Sequence, residues 1–212
     1  MPTFTVLLVC TGNICRSAMA ERFGRVLLDR MLGQRAEAVR LVSAGTRAVV
    51  GSAMHPDSTL VLRGLGAQPG DFRARQFVEH MAVDADLILT MTRDHRSEVL
   101  ERSPRALART FTLREAADLV SLLGDDIEVP GGNLAERARS LVREMAAARS
   151  RRHSGEDDDV LDPIGRPVDV HEEAGKAIAE ALIPVLRRIA SLGTAVTGEA
   201  SGLQGHGASR FS

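Results

Sequence analysis

At 212 residues the chain is long enough for one α/β domain with a sizeable core, and its composition sets no second domain apart. Its 27 basic and 28 acidic side chains nearly cancel, so no strong field draws it to nucleic acid or to an anionic membrane, and without Trp or Tyr it offers no base-stacking platform. Two cysteines, Cys10 and Cys15, are too few and too close to frame a disulfide-stapled secreted fold. No apolar run approaches the length of a bilayer span, and Met1 to Val9 lacks the basic start and cleavage site of a signal peptide, so a soluble cytoplasmic protein is expected.

Phe4 to Val9 is short, β-branched and almost continuously apolar, the pattern of a strand buried on both faces of a parallel sheet. A polar break from Thr11 to Ser17 follows, after which Met19, Phe23, Val26, Leu27 and Met31 recur at helical spacing. Arg40 to Gly45 predicts a second strand ending in a turn, and His55-Pro56 opens a helix running to about Gly66. Asp86 to Thr90 predicts a third strand, with Asp94 as the cap of a helix through Val99 and Leu100. Thr110 to Leu113 is a short fourth strand leading into a helix from Arg114 to Leu123.

Gly124 to Asn133 reads as a loop and Leu134 to Ala148 as an amphipathic helix. Arg151 to Asp159 is a charged segment expected to be mobile, its Asp157, Asp158 and Asp159 forming a solvated face. A last helix spans roughly His171 to Leu192. Strands alternating with helices predict parallel pairing with right-handed crossovers, hence a three-layer α/β sandwich with its site at the carboxyl ends of the strands. Residues 1–192 should form this domain. Residues 193–212, rich in Gly, Ser, Thr and Ala, cannot recover their ordering entropy by burial and are expected to be a disordered tail.

The chemistry concentrates in Cys10-Thr11-Gly12-Asn13-Ile14-Cys15-Arg16-Ser17, between the first strand and its helix. Backbone N–H groups of a loop closing onto a helix N-terminus converge into an anion nest suited to phosphate, and the same field stabilises a thiolate on Cys10. Gly12 allows a positive φ or a close approach to the ligand. Arg16 can swing over the loop and grip two phosphoryl oxygens with its planar fork, and Ser17 is placed to donate to the Cys10 sulfur. Asn13 should brace the loop through its side-chain amide. A lone cysteine at a strand end is usually a small buried hydrophobe, but the company of Gly, Asn, Arg and Ser in one window outweighs that reading. A nucleotide P-loop is disfavoured because no Gly-Lys-Ser or Gly-Lys-Thr follows Gly12, and a zinc site at Cys10 and Cys15 would need further thiols or clustered histidines, which the sequence does not offer.

This loop resembles the C-x4-C-R-S signature of the low-molecular-weight protein-tyrosine phosphatases, and other stretches resemble the family in the same order: Val42-Ser43-Ala44-Gly45-Thr46, His55-Pro56, Ala74-Arg75-Gln76, Asp86 to Thr92, and Asp162-Pro163-Ile164-Gly165. The similarity extends over about residues 3 to 192. It implies a four-stranded parallel sheet of flavodoxin-like order 2-1-3-4 and a two-step, metal-independent hydrolysis of phosphomonoesters on proteins, with a phospho-cysteine intermediate on Cys10 and no cofactor. It implies phosphate binding by Thr11, Gly12, Asn13, Ile14, Cys15, Arg16 and Ser17. It also assigns a general acid to Asp162, where an Asp-Pro turn would hold a carboxylic acid beside the phosphate and let it protonate the leaving group; by itself, an Asp-Pro pair more often just closes a loop.

Departures from the family bear on specificity. Thr11 stands where tyrosine-specific relatives carry a larger apolar residue and resembles the phosphoarginine-specific branch. His171 occupies the place of a gating tyrosine or serves as an ordinary helix-start residue. Val49 and Val50 replace an aromatic on the opposite rim, and Phe72 replaces a loop-bracing histidine, which shifts the support of Asn13 toward Ser43. A phosphorylated protein is the expected partner, through phosphotyrosine or, because of Thr11, phosphoarginine. A thiol-dependent arsenate reductase ranks lower for want of cysteines after Cys15, as does a binding module that has lost turnover. Cys15 is open to two roles: redox partner of Cys10, or packing residue of the loop.

Overall fold

The computed structural model describes residues 2–152 and 155–193. Four parallel strands, β1 (Phe4–Cys10), β2 (Val39–Gly45), β3 (Leu87–Thr90) and β4 (Thr110–Thr112), lie in the order β2-β1-β3-β4. In β1, Val6 pairs with both Leu41 and Leu87, which places this strand in the interior of the sheet. Its side chains alternate between two cores, as a pleated strand requires. Phe4, Val6, Leu8 and Cys10 join the larger one, whereas Leu7 and Val9 join a smaller one with Ala44, Phe77, Ala82, Ile88 and Val99. The continuous apolar run thus reflects burial on both faces.

The larger core packs against α1 (Arg16–Leu32), α5 (Leu113–Leu123), α6 (Leu134–Ala148) and α7 (Val168–Ser191). The opposite face carries α3 (Glu79–Asp84) and α4 (Arg93–Arg102), while α2 (Pro56–Gly64) leans on α7. These are the three predicted layers. Gly175 makes the contact of α2 with α7 close, since a Cβ there would lie 2.4 Å from Val61 Cγ1.

Several boundaries differ from expectation for local reasons. Thr92, not Asp94, caps α4: its backbone is extended and its hydroxyl accepts a hydrogen bond from His95 N at 3.2 Å, which leaves Asp94 in the first turn. The fourth strand ends at Thr112 because that residue is drawn into a capping box with Glu115, and α5 begins at Leu113. Helix α7 starts at Val168, three residues before His171, directly after Pro167. The short α3 carries too brief an apolar pattern to have announced itself.

The aspartate run is the main correction. Asp158 is only 2% exposed and pairs with Arg152, which also binds Asp118 at 2.7 Å; Asp159 pairs with Arg93 at 3.0 Å. Only Asp157 keeps an exposed side chain, so these residues do not form a solvated face. Their partners lie far away in the sequence, where charge counting along the segment cannot find them. The expected disordered tail lies, beyond Gly193, outside the described residues.

Candidate functional site

Cys10 ends β1, and the loop to Cys15 leads straight into α1. Its carbonyls are turned outward and tied to the segment after β2: Thr46 N donates to Cys10 O, Arg47 N to Thr11 O, Val49 N to Gly12 O and His55 N to Ile14 O, all within 3.0 Å. None of the N–H groups of residues 11–16 finds an acceptor among the described residues. Outward carbonyls leave those donors facing the mouth of the loop, above the N-terminus of α1, which has no side-chain cap. The arrangement is a nest for an oxyanion. Gly45 is needed beneath it, because a Cβ there would sit 2.4 Å from Thr11 O.

The left-handed residue of the loop is Asn13, with φ of 54°, so of the two roles offered to Gly12, a positive φ or a close approach to the ligand, the first falls to Asn13. Asn tolerates that region better than most residues, and here its buried amide is fully engaged. Nδ2 donates to Ser17 Oγ at 2.9 Å and to Ser43 Oγ at 2.8 Å, and Oδ1 accepts from Arg75 N at 2.8 Å. The expected reliance on Ser43 is therefore observed, with Arg75 as an addition that sequence reasoning missed. Ser43 is itself held by Glu21, at 2.5 Å, and Glu21 pairs with Arg75. Phe72 is buried, with the Arg22 guanidinium over its ring at 5.6 Å.

Cys10 Sγ and Ser17 Oγ are 2.9 Å apart, the contact expected from their places in the loop. Arg16, 3% exposed, is threaded between two fixed acceptors: Nη1 donates to Val160 O at 3.0 Å, and Nη2 lies 2.5 Å from Asp162 Oδ2. Its Nε is buried with no hydrogen-bond partner. A buried guanidinium N–H left open at an anion nest suits a phosphoryl oxygen. The segment bearing Asp162 is pinned by Val160 N donating to Met91 O, beyond β3, and Ile164 N closes an Asx turn onto Asp162 Oδ1. Two halves of the site, distant in sequence, thus meet through one ion pair.

A further residue belongs here that sequence reading missed. His95, buried in the first turn of α4, has Nε2 at 2.8 Å from Thr11 Oγ1 and Nδ1 at 2.7 Å from Thr92 Oγ1. Thr92 Oγ1 also accepts from His95 N, and the neutral ring, donating through one nitrogen and accepting through the other, bridges the Thr11 and Thr92 hydroxyls. Burial, reinforced by the positive charge of Arg16, pushes the imidazole down to about 4. A histidine held neutral in the fold contributes its full stability above about pH 6.5; the contribution is lost as pH falls through that value toward 4, where only the unfolded chain takes up the proton. Urea unfolding should show a loss of roughly 3 kcal/mol from this group between pH 7.5 and pH 4. The His95→Gln variant should show a correspondingly smaller difference between the two pH values, and an equal difference would remove His95 as its source.

Cys15 is a buried free thiol. Burial raises it to about 11, partly offset by a hydrogen bond with Ser58, so it remains protonated near neutral pH and is a slow partner for thiol exchange. His171 is fully buried against α2, with Nδ1 at 2.9 Å from Ser58 Oγ. It is neither a gate on the rim nor a mere helix-start residue. Val49 and Val50 are exposed at the loop's edge, as expected for a rim without an aromatic.

Comparison with known proteins agrees with this geometry. Residues 5–130 match the family model of the low molecular weight phosphotyrosine protein phosphatases. The chain is 31% identical over 148 residues to the probable low molecular weight protein-tyrosine-phosphatase AmsI of Erwinia amylovora, an alignment covering 67% of this chain and 97% of that protein. It is 41% identical over 128 residues to the low molecular weight protein-tyrosine phosphatase A of Mycobacterium tuberculosis, covering 59% and 74%. Among solved structures, the YwlE arginine phosphatase from Geobacillus stearothermophilus is similar with a TM-score of 0.59 and 26% identity, covering 89% of this chain and 91% of that one.

Proposed function

Since the chain belongs to the low molecular weight phosphotyrosine protein phosphatase family, we propose that it hydrolyses phosphotyrosine on proteins in two steps through a phosphorylated Cys10. The observation that carries this reading is the 2.5 Å contact of Arg16 with Asp162, which brings a phosphate-gripping cation and a proton donor to the same loop. In the first step the Cys10 thiolate attacks phosphorus in line with the leaving oxygen. The loop N–H groups and Arg16 take the equatorial oxygens, supplying the charge stabilisation that other phosphatases take from metals. As those oxygens engage the guanidinium, Asp162 is released from Arg16, and its partly exposed carboxylate takes up a proton from solvent and passes it to the leaving oxygen.

In the second step Asp162 takes a proton from water, the water attacks phosphorus, and Ser17 donates to the departing sulfur. The residues placed on the phosphate are Thr11, Gly12, Asn13, Ile14, Cys15, Arg16 and Ser17. Residues 1–192 act as one catalytic unit with 193–212 as an appendage, and the chain works in the cytoplasm, where two unpaired cysteines stay reduced. No helix among the described residues is long and apolar enough to cross a membrane.

A second reading, hydrolysis of phosphoarginine, is favoured by one feature: Thr11, a polar residue directly after Cys10 whose hydroxyl is hydrogen-bonded to His95. The arginine phosphatase resemblance points the same way. Initial rates on matched phosphotyrosine and phosphoarginine peptides separate the two. A kcat/KM for phosphotyrosine at least about tenfold higher is expected. The reverse order would transfer the assignment to phosphoarginine, and inertness toward both would defeat the protein-phosphatase reading.

A further inference from the structure

Where the phosphate loop meets α2 and α7, the fold assembles a donor set whose two histidines and whose Cys15 side chain take no part in the chemical steps. Cys15 Sγ and ring nitrogens of His55 and His171 all lie within 4.8 Å of one another. His55 precedes α2 and His171 belongs to α7, so the set depends on the close contact of those helices at Gly175. The two imidazoles are stacked, with centroids 4.9 Å apart and planes 16° from parallel.

His171 Nε2 is fully buried and completes no hydrogen bond of good geometry, although the Pro163 backbone lies close enough to act on the ring. Its other nitrogen is committed to Ser58 Oγ at 2.9 Å, the kind of outer hydrogen bond that orients a metal-bound imidazole. Asp57 Oδ2 stands 3.9 Å from His171 Nε2 and 3.9 Å from His55 Nδ1, too far to bond to either. His55 Nδ1 accepts only a long hydrogen bond from Asp57 N, at 3.3 Å, as the cap of α2, which a cation would displace in drawing this nitrogen, His171 Nε2 and the carboxylate together beside the thiol.

We infer that Cys15, His55 and His171, with Asp57 at the mouth, form a zinc site whose occupation arrests the phosphate loop. One sulfur and two imidazole nitrogens are borderline-soft donors that select zinc over magnesium or calcium, and a fourth position is left for Asp57 or water. Zinc bonds of about 2.0–2.3 Å require the ligands to close by roughly an ångström. His55 and Asp57 are partly exposed and can make that adjustment while admitting the ion. On binding, the Cys15 thiol gives its proton to solvent as the sulfur–zinc bond forms. The effect reaches the active loop because Cys15 lies between Ile14, whose carbonyl is held by His55 N, and Arg16.

The test is competition for Zn2+ between the full-length protein and a chromogenic chelator, using wild type, Cys10→Ser, Cys15→Ser and His55→Asn, the last chosen because Asn preserves a helix cap. Wild type and Cys10→Ser should each bind one equivalent. Cys15→Ser and His55→Asn should bind roughly 100-fold more weakly, and the concentration of Zn2+ that inhibits aryl phosphate hydrolysis should rise by the same factor in His55→Asn. Co2+ should give intense tetrahedral and thiolate charge-transfer bands with Cys10→Ser but not with Cys15→Ser. Binding lost in Cys10→Ser and unchanged in His55→Asn would place the ion on the nucleophile and overturn the assignment, as would the absence of binding to wild type. Because binding is read in Cys10→Ser, failure here is independent of any failure of the phosphatase mechanism.

Discussion

Cys10→Ser should lose hydrolysis of a chromogenic aryl phosphate by on the order of four decades or more in kcat, while inorganic phosphate binds within a few-fold of its wild-type affinity. The two halves of this result have separate causes. A serine hydroxyl at the end of β1 is far harder to ionise than a thiol, and among the described residues the side-chain hydrogen bond at this position is to Ser17, the ring of His95 being taken by Thr11 and Thr92. The phosphate contacts proposed above, by contrast, come from backbone N–H groups and from Arg16, none of which the substitution removes. Wild-type activity should persist in a chelator. Activity that survives in Cys10→Ser, or that a chelator abolishes in wild type, would remove the phospho-cysteine mechanism.

Asp162→Asn should slow the first step according to the leaving group. With an unsubstituted phenyl phosphate, whose oxyanion is a strong base, kcat should fall by about two to three decades. With a nitrophenyl phosphate, which leaves without help, the loss should be far smaller. Asn preserves the Asx turn to Ile164 N and removes the proton, so the comparison isolates acid catalysis from loop structure. Arg16 also loses its charged partner in this variant, and tighter phosphate binding by the freed guanidinium is the accompanying signature. Equal slowing of both substrates would leave Asp162 as a structural residue only.

Much of the fold was legible because its signals are local. The apolar run of β1, the helical spacing of Met19, Phe23 and Leu27, and the Pro at the start of α2 each report a short-range preference that the tertiary structure reinforced. The misreadings arose where two local preferences competed. Thr92 and Asp94 can both cap a helix, and the choice fell to the residue whose backbone was already extended on leaving β3. Gly12 and Asn13 can both adopt a positive φ, and Asn13 took it because its amide then reaches Ser17, Ser43 and Arg75 at once.

By itself the sequence determined the make-up of the eight-residue loop: thiol, turn, guanidinium and hydroxyl follow one another along a strand–loop–helix junction, and their juxtaposition needs no distant partner. Only the tertiary structure decided what surrounds that loop. The order of the sheet carries the segment after β3 to Cys10's side, which sets His95 on Thr11 and Asp162 on Arg16. The packing of α2 on α7 turns two scattered histidines and a cysteine into one cluster, and Asp158 becomes a buried ion pair through Arg152. Each of these is a contact between residues far apart in the chain, governed by which faces pack together, and spacing along the chain carries no record of that.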